Sequence, residues 1–339
     1  MLPALQTLQS IAAPVDVPLT IDAVTGWDEA VAAAPVFYQR PFLKAFEDTP
    51  LHPVLRHAYL HTPRTHIAVP VTLQHGIDPM GVLATHFPSA REQPVLLSHV
   101  WHCYETVLPG AEAHPEAAAA VLRSMRELAD HWGAGHFGFV NVPADSPTAA
   151  ALERLGMTPV PAENGHGLTL APFHGLDDYL ATLASKPRRN LTHDLRRAQE
   201  AGVETEILPP AKADLDGFVA LARATAAKYG NADYYRPGIF QDFVLALGEC
   251  ARIIELRRAG HLIASAITLL DQHRYHFWCV GVDYAAAPGF SPFYTVFADV
   301  MRDAIASGRG RLELGRRNPD FKRRYGFQAT PLCAYIAAV

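Results

Sequence analysis

Apolar positions recur along this chain at two spacings, and the spacing changes from segment to segment. Near-alternation over 66–73 and 136–142 predicts strands, in which successive side chains point to opposite faces. Pro70 suits an edge position or a bulge in the first of them. Ala118, Val121, Leu122, Met125, Leu128 and Trp132 recur three or four residues apart, which predicts a helix over 115–132. Pro115 fits its first turn and Gly133 closes it. A helix near 37–46, strand-like runs at 57–60 and 95–104, a short helix over 146–155 ended by Gly156, and a strand at 167–170 complete the first half. The mixture of Gly, Pro, His and Ser over 74–91 reads as loop.

The second half repeats this order with stronger signals. A basic helix over 180–201 precedes a strand at 203–208, then two helices at 214–229 and 237–248. Three strands follow at 251–256, 261–270 and 274–282, turned by Gly260 and by Asp271-Gln-His273. A helix over 292–307 ends at Gly308; a strand at 311–314, a helix over 318–325 closed by Gly326 and a strand at 332–337 finish the chain. Hairpin-linked strands with intervening helices predict an α+β fold, a mixed and mostly antiparallel sheet flanked by helices, not a doubly wound parallel one. The first half shares the element order without residue-level repetition, so two tandem domains are expected, 1–172 and 173–339.

Composition narrows the function. With 339 residues, 49% hydrophobic and 19% charged, the chain can build two sizeable cores, which excludes wholesale disorder. No window reaches the ~18 uninterrupted apolar residues of a membrane span, and the first 24 residues lack a basic n-region and cleavage site. A cytoplasmic protein is expected. A formal charge of −5 argues against a coat of nucleic acid while leaving room for one local basic groove. Four separated cysteines predict reduced, mostly buried thiols. Lysine is scarce, five against 24 arginines, so a lysine in a candidate site stands out.

Two passages carry a family resemblance. YLATLASKPRRNLTHDLRRAQEAGV (179–203) resembles the basic helix that opens the second half of GNAT acyltransferases in the Fem-like, BioF2-like branch. LELGRRNPDFKRRYGF (312–327) is similar to the terminal strand–helix signature of that branch, where a Gly-x-x-Asp-like turn precedes a lysine and a Gly-Phe. The likeness covers most of 175–339; the first half matches in element order and in the 37–46 segment. It implies tandem GNAT domains and amide formation on an amine acceptor. GNAT enzymes that use acyl-coenzyme A carry a Gln/Arg-x-x-Gly-x-Gly/Ala loop whose N–H groups hold the pyrophosphate. Here 283–292 reads DYAAAPGFSP, with one glycine, and Pro288 and Pro292 each remove a donor. The resemblance to Fem-like members, which lack a standard cradle, implies aminoacyl-tRNA as donor co-substrate, with no resident cofactor. The alternative donor is acyl-coenzyme A on a small-molecule amine. A non-catalytic member, its slot filled and its fold used for binding, is a third possibility.

The site residues follow from the same match. Lys322, read as an exposed side chain whose loss leaves the fold intact, is a candidate to stabilise the developing oxyanion or to bind a substrate phosphate. Tyr294, in the first turn after the degenerate loop, is a candidate to protonate the leaving group; the rival is packing. His276 is either a base or donor in the acyl slot or a structural histidine. Alternation places it with Trp278 on one face of its strand, and Tyr275, Phe277 and Cys279 on the other. Trp278, Glu313, Arg316 and Asp320 are candidates to bind the acceptor, Glu313 being equally readable as an ordinary paired carboxylate. Arg189, His193 and Arg196/Arg197 recur at i, i+4 and i+7/i+8 as one basic stripe, suited to phosphates of tRNA or of a nucleotide-linked acceptor, or simply solvated. His99 and His102 with Glu105 do not converge and have no third ligand at a standard spacing, so no metal is expected. Trp101 and His102 are instead candidates to line an acceptor pocket. No Gly-x-Ser-x-Gly, Walker or Rossmann pattern occurs.

Overall fold

A computed structural model describes residues 15–76, 86–88, 93–98, 103–228, 230–286 and 289–339. His99, Trp101 and His102 lie outside the described residues. The chain divides into two compact units: 1–47, 52–165 and 330–339 form one, 48–51 and 166–329 the other.

The first unit holds α1 (Trp27–Ala30), α2 (Arg40–Asp48), β1 (Arg56–Thr62), β2 (Ile67–His75), β3 (Pro94–Leu97), α3 (Pro115–His131), β4 (His136–Pro143) and α4 (Pro147–Arg154). β1, β2 and β3 pair antiparallel in turn, and β3 then pairs parallel with β4 from Val95↔His136 to Leu97↔Gly138. Ser146 caps α4, its hydroxyl accepting from the Ala149 N–H at 3.1 Å, as its position before Pro147 leads one to expect. β3 ends at Leu97, short of the strand expected over 95–104. β5 (Pro159–Thr169) is much longer than expected, and the boundary between the units falls within it.

The second unit contains α5 (Leu176–Thr182), α6 (Ser185–Glu200), β6 (Val203–Leu208), α7 (Leu215–Ala227), α8 (Ile239–Ala246), β7 (Ala251–Arg258), β8 (His261–Leu270), β9 (Arg274–Val282), α9 (Pro292–Ala306), β10 (Arg311–Glu313) and α10 (Pro319–Arg324). β6 through β9 form an antiparallel meander with β6 at its edge. β9 pairs parallel with β10, and β10 pairs antiparallel with residues 167–169 of β5. The basic helix expected over 180–201 is two helices. Leu183 and Ala184 are extended between them, because Pro187 has no N–H to offer the carbonyl of Leu183 and is tolerated only in a first turn.

The last strand, β11 (Gln328–Ala338), follows α10 in the chain but pairs antiparallel with β4, and most of it belongs to the first unit. Each unit is thus a mixed, mostly antiparallel sheet with flanking helices. The first buries an aliphatic core around α3, with Val69, Val71, Leu122, Met125 and Phe137. In the second the core is aromatic around α9, with Tyr275, Phe277, Phe297, Tyr325 and Phe327. Among the described residues no helix is long and apolar enough to cross a membrane.

Candidate active site

The parallel ladder of β9 and β10 is three pairs long, Arg274↔Arg311, Tyr275↔Leu312 and His276↔Glu313. Beyond it the strands part: β9 continues to Val282, while the chain after β10 turns through Gly315 (φ 66°) and Asn318 (φ 62°) into α10. The backbone there needs the left-handed region, which glycine and asparagine enter most readily. Two helices, α9 and α10, pack on one another here, Tyr294 of α9 against Phe321, the residue before Lys322, and against Tyr325.

Lys322 is not exposed. Only 5% of it is accessible, and its Nζ donates to the Gly315 carbonyl at 2.8 Å. The same carbonyl lies 3.3 Å from Nδ1 of His166, a buried residue of β5 that sequence reasoning missed. The bend after β10 is therefore held from two sides. An ammonium group has three N–H donors, and Gly315 engages one of them. The expectation that Lys322 is exposed and contributes little to stability is corrected: its removal would leave the Gly315 carbonyl short of a buried donor.

Tyr294 is half-buried in the first turn of α9, its ring 5.6 Å from Tyr325 and 6.1 Å from Phe321 of α10. Burial, then the charge and hydrogen bond of Tyr294, raise the Tyr325 phenol above its ordinary value. Tyr179 of α5 donates to the Tyr325 carbonyl at 2.9 Å, which ties the end of α10 to the same core.

His276 is wholly buried, with Nε2 3.0 Å from Oδ2 of Asp271, itself shielded. The other Asp271 oxygen accepts from the N–H groups of His273 (2.8 Å) and Arg274 (2.7 Å). Burial pushes the Asp271 carboxyl up, but the hydrogen bonds and charge of His276 and the two amides together hold it below its ordinary value. His276 thus closes the β8–β9 turn. Trp278 stacks on Phe240 of α8 (5.7 Å, 14°) and tilts against Phe243. The register jumps from Thr268↔Phe277 to Ile267↔Cys279, so Trp278 is the extra residue of a bulge. The bulge overturns the expected alternation: Tyr275 and Phe277 join the core around α9, whereas Cys279 lies with Tyr235 on the other side, near Trp278's partners.

Glu313 is buried and pairs with Arg311 two residues away on the same strand face. Arg316 is half-buried; Asp320 is exposed and pairs with Arg323 at 2.6 Å. Arg189, Arg196 and Arg197 are all exposed. Arg196 lies 3.8 Å from Glu200, and Arg197 reaches the loop before α9, where a Cβ added at Gly289 would sit 3.0 Å from its Nη2.

That loop is where a coenzyme A enzyme would present N–H donors, and here three of its described N–H groups are already engaged. Oδ1 of Asp283 accepts from Ala285 (2.9 Å) and Ala286 (3.2 Å), and Oδ1 of Asp194 from Ser291 (3.1 Å). Arg258 donates to the Ala286 carbonyl at 3.3 Å. The N-terminal end of α9 therefore meets a resident carboxylate from α6. Asp194 was legible only as one acid in a basic helix; nothing local announces a partner 97 residues away. Burial pushes the Cys279 thiol up to about 12, which disfavours its thiolate. All four cysteines are free, and among the described residues no three His, Cys, Asp or Glu side chains are grouped to hold a metal.

Residues 185–323 match the family described as Acetyltransferase (GNAT) domain. No curated protein matches the sequence. Among solved structures the chain is similar to FemX, with a TM-score of 0.67 at 11% identity over 93% of this chain and 96% of that one. It is also similar to a tandem GNAT protein from the clavulanic acid biosynthesis pathway (TM-score 0.54, 13% identity, 96% and 98% covered). A third is the C-terminal domain of a designated lysylphosphatidylglycerol synthetase from Agrobacterium fabrum (0.58, 14%, 91% and 91%). At such identities the likeness concerns the fold. The chain has a GNAT-like fold similar to that of a tandem GNAT protein, and its second unit carries the segment that matches the acetyltransferase family.

Proposed function

We propose that this protein is an N-acyltransferase that forms an amide bond on an amine acceptor, with aminoacyl-tRNA as its donor. The observation that carries the donor reading is the state of the loop before α9. Asp283 and Asp194 occupy the N–H groups of Ala285, Ala286 and Ser291, and a pyrophosphate brought to that end of α9 would meet carboxylate oxygens rather than donors. The likeness to FemX and to the lysylphosphatidylglycerol synthetase domain points the same way, as does the terminal signature around Lys322.

In this reading the acceptor nitrogen attacks the ester carbonyl of the donor beside the parting of β9 and β10. A C–N bond forms, negative charge grows on the carbonyl oxygen, and the ester C–O bond then breaks. The proton that the amine nitrogen gives up passes to the leaving oxygen through Tyr294, whose phenol hands its own proton to that oxygen and takes the amine's in return; Tyr294 is partly accessible and packed against Tyr325. Lys322 supplies positive charge beside the slot and fixes the Gly315 bend. Transfer is direct, since no activated nucleophile is present among the described residues at the site. His276 is left to the turn it closes with Asp271. Glu313 and Arg316 stand at the acceptor side, and Arg197, with Arg189, supplies phosphate contacts.

The rival is an acyl-coenzyme A donor, favoured by the match to an acetyltransferase family. The deciding experiment offers the protein charged tRNAs and, separately, acyl-coenzyme A thioesters, each with a panel of amines. Amide product from the tRNA arm alone supports the proposal. Product from the thioester arm, with micromolar coenzyme A affinity by calorimetry, replaces it. As a structural companion, Asp194→Asn is expected to raise coenzyme A affinity, because it removes the resident anion from the end of α9.

A further inference from the structure

A cavity lies between α6 and α9, lined by residues to which the acyl-transfer reading gives no role. It has a volume of about 380 Å³, within the roughly 300–1,000 Å³ range of small-molecule sites. Two helices make its walls. Thr192, Leu195, Arg196 and Gln199 line it from α6, and Thr295, Asp299 and Arg302 from α9. On α6 they stand at i, i+3, i+4 and i+7, and on α9 at i, i+4 and i+7, so each wall is one continuous helical stripe. β6 closes the bottom with Val203 and Thr205, and as an edge strand it has no further strand of this unit to cover it.

The lining sorts into groups already engaged and groups still able to bind. Asp299 is buried, yet both its oxygens are taken: Oδ1 by Arg302 of the next turn, Oδ2 by the Thr205 hydroxyl at 2.9 Å. Burial raises its carboxyl, and Arg302 and Thr205 oppose that rise. Its charge is therefore answered inside the protein. Thr295 donates to the Ser291 carbonyl. What remains is mostly donors. The guanidinium of Arg302 uses one edge on Asp299 and is about half exposed. The guanidinium of Arg196 has Glu200 only at 3.8 Å, beyond hydrogen-bond distance. The exposed Thr192 and Gln199 add polar groups to the lining, and the half-buried Leu195 and Val203 add apolar surface.

From this arrangement we infer that the α6–α9 cavity binds a small organic oxyanion. Its phosphate or carboxylate head lies between Arg196 and Arg302, and a compact apolar body rests on Leu195 and Val203. Two guanidiniums on opposite walls can each present a planar pair of N–H donors to one oxyanion, and such charge-assisted bonds are the strong ones. The inference does not depend on the acyl donor. It does separate Arg196 from Arg197. Arg196 faces the cavity, and Arg197 the loop at Gly289, so the basic stripe of α6 serves two places.

The test is calorimetric titration of the whole chain with inorganic phosphate, butyl phosphate and butyrate. Saturable binding of butyl phosphate or butyrate is expected, and whichever binds tighter identifies the head group. Inorganic phosphate should bind more weakly than butyl phosphate, because it leaves the apolar surface uncovered. Arg196→Gln should weaken the binding roughly tenfold, the scale of one charge-assisted hydrogen bond. Arg302→Gln should do so too, but it also exposes Asp299 and carries a risk to the fold. Gln199→Trp, at an exposed position of the lining, should close the cavity and abolish binding with the fold retained by circular dichroism. No saturable heat with any probe at millimolar concentration overturns the inference. So does binding that is unchanged in folded Arg196→Gln and Gln199→Trp proteins.

Discussion

In the first unit the parallel ladder β3/β4 runs from Val95↔His136 to Leu97↔Gly138, and in the second β9/β10 runs from Arg274↔Arg311 to His276↔Glu313. Both ladders are three pairs long, both have a helix between their strands, and both are followed by a short helix. The residues that end them differ. In the first unit the last pair is leucine and glycine, and a Cβ on Gly138 would lie 2.0 Å from the Tyr335 carbonyl oxygen, so β11 packs directly on the backbone there. The last pair of the second unit is histidine and glutamate, both buried and both held by a charged partner. The flanking helices diverge in the same way. α3 and α4 bury alanine and leucine, whereas α9 and α10 present Phe293, Tyr294, Phe321, Lys322 and Tyr325. One scaffold is used twice. The first copy ends its ladder against the backbone of β11, whereas the second ends it in a histidine and a glutamate that each hold a charged partner.

That contrast can be broken by experiment. Tyr294→Phe keeps the ring packing and removes the phenolic proton, so turnover should fall by roughly 10²–10⁴-fold with little change in melting temperature. Wild-type turnover in a folded variant would remove Tyr294 from the chemistry. Lys322→Met should lower turnover by about 10²–10³-fold. It should also cost about 1–3 kcal/mol of stability, read from denaturant unfolding, because the Gly315 carbonyl loses a buried donor. A stability loss with normal turnover would leave Lys322 as a support for the bend alone. In the first unit, Gly138→Ala should destabilise by about 1–3 kcal/mol or prevent folding, through the clash with the β11 backbone. Thermal unfolding measures it, and an unchanged midpoint would show that β11 does not need the close approach.

The smallest effect concerns pH. The Asp271 carboxyl is held below its unfolded value of about 3.9, so it contributes stability above that pH and loses it as pH falls through the folded value. Asp271→Asn should be less stable than the parent at neutral pH, and the gap should narrow below about pH 4. A gap that stays constant to pH 2 would mean the carboxylate charge does not matter to the β8–β9 turn.

Much of the second unit was legible because its signals are local. Pro292 and Gly308 bracket α9, Gly260 turns β7 into β8, and Asp214 caps α7 by accepting from the Gly217 N–H at 2.8 Å. The division of 180–201 at Pro187 was also written in the sequence, yet the apolar periodicity on either side hid it. The bulge at Trp278 had no such mark. Alternation predicts a face for every residue of a strand, and a single extra residue shifts all those after it.

By its own pattern the sequence determined the order of helices and strands, hence the α+β class and the two-fold repetition, because periodicity, caps and turn residues act within a few neighbours. Only the tertiary structure decided which strand completes which sheet, and which side chains are buried. β11 pairs with β4 rather than joining the ladder that precedes it in the chain, as most of the second unit's strands do. Asp194 meets Ser291 across 97 residues, and His166 meets the Gly315 carbonyl across 149. Lys322 sits among three charged neighbours that suggest a solvated face, and it is buried because the Gly315 bend folds back over α10. Such contacts depend on distance through space, which local spacing along the chain does not encode.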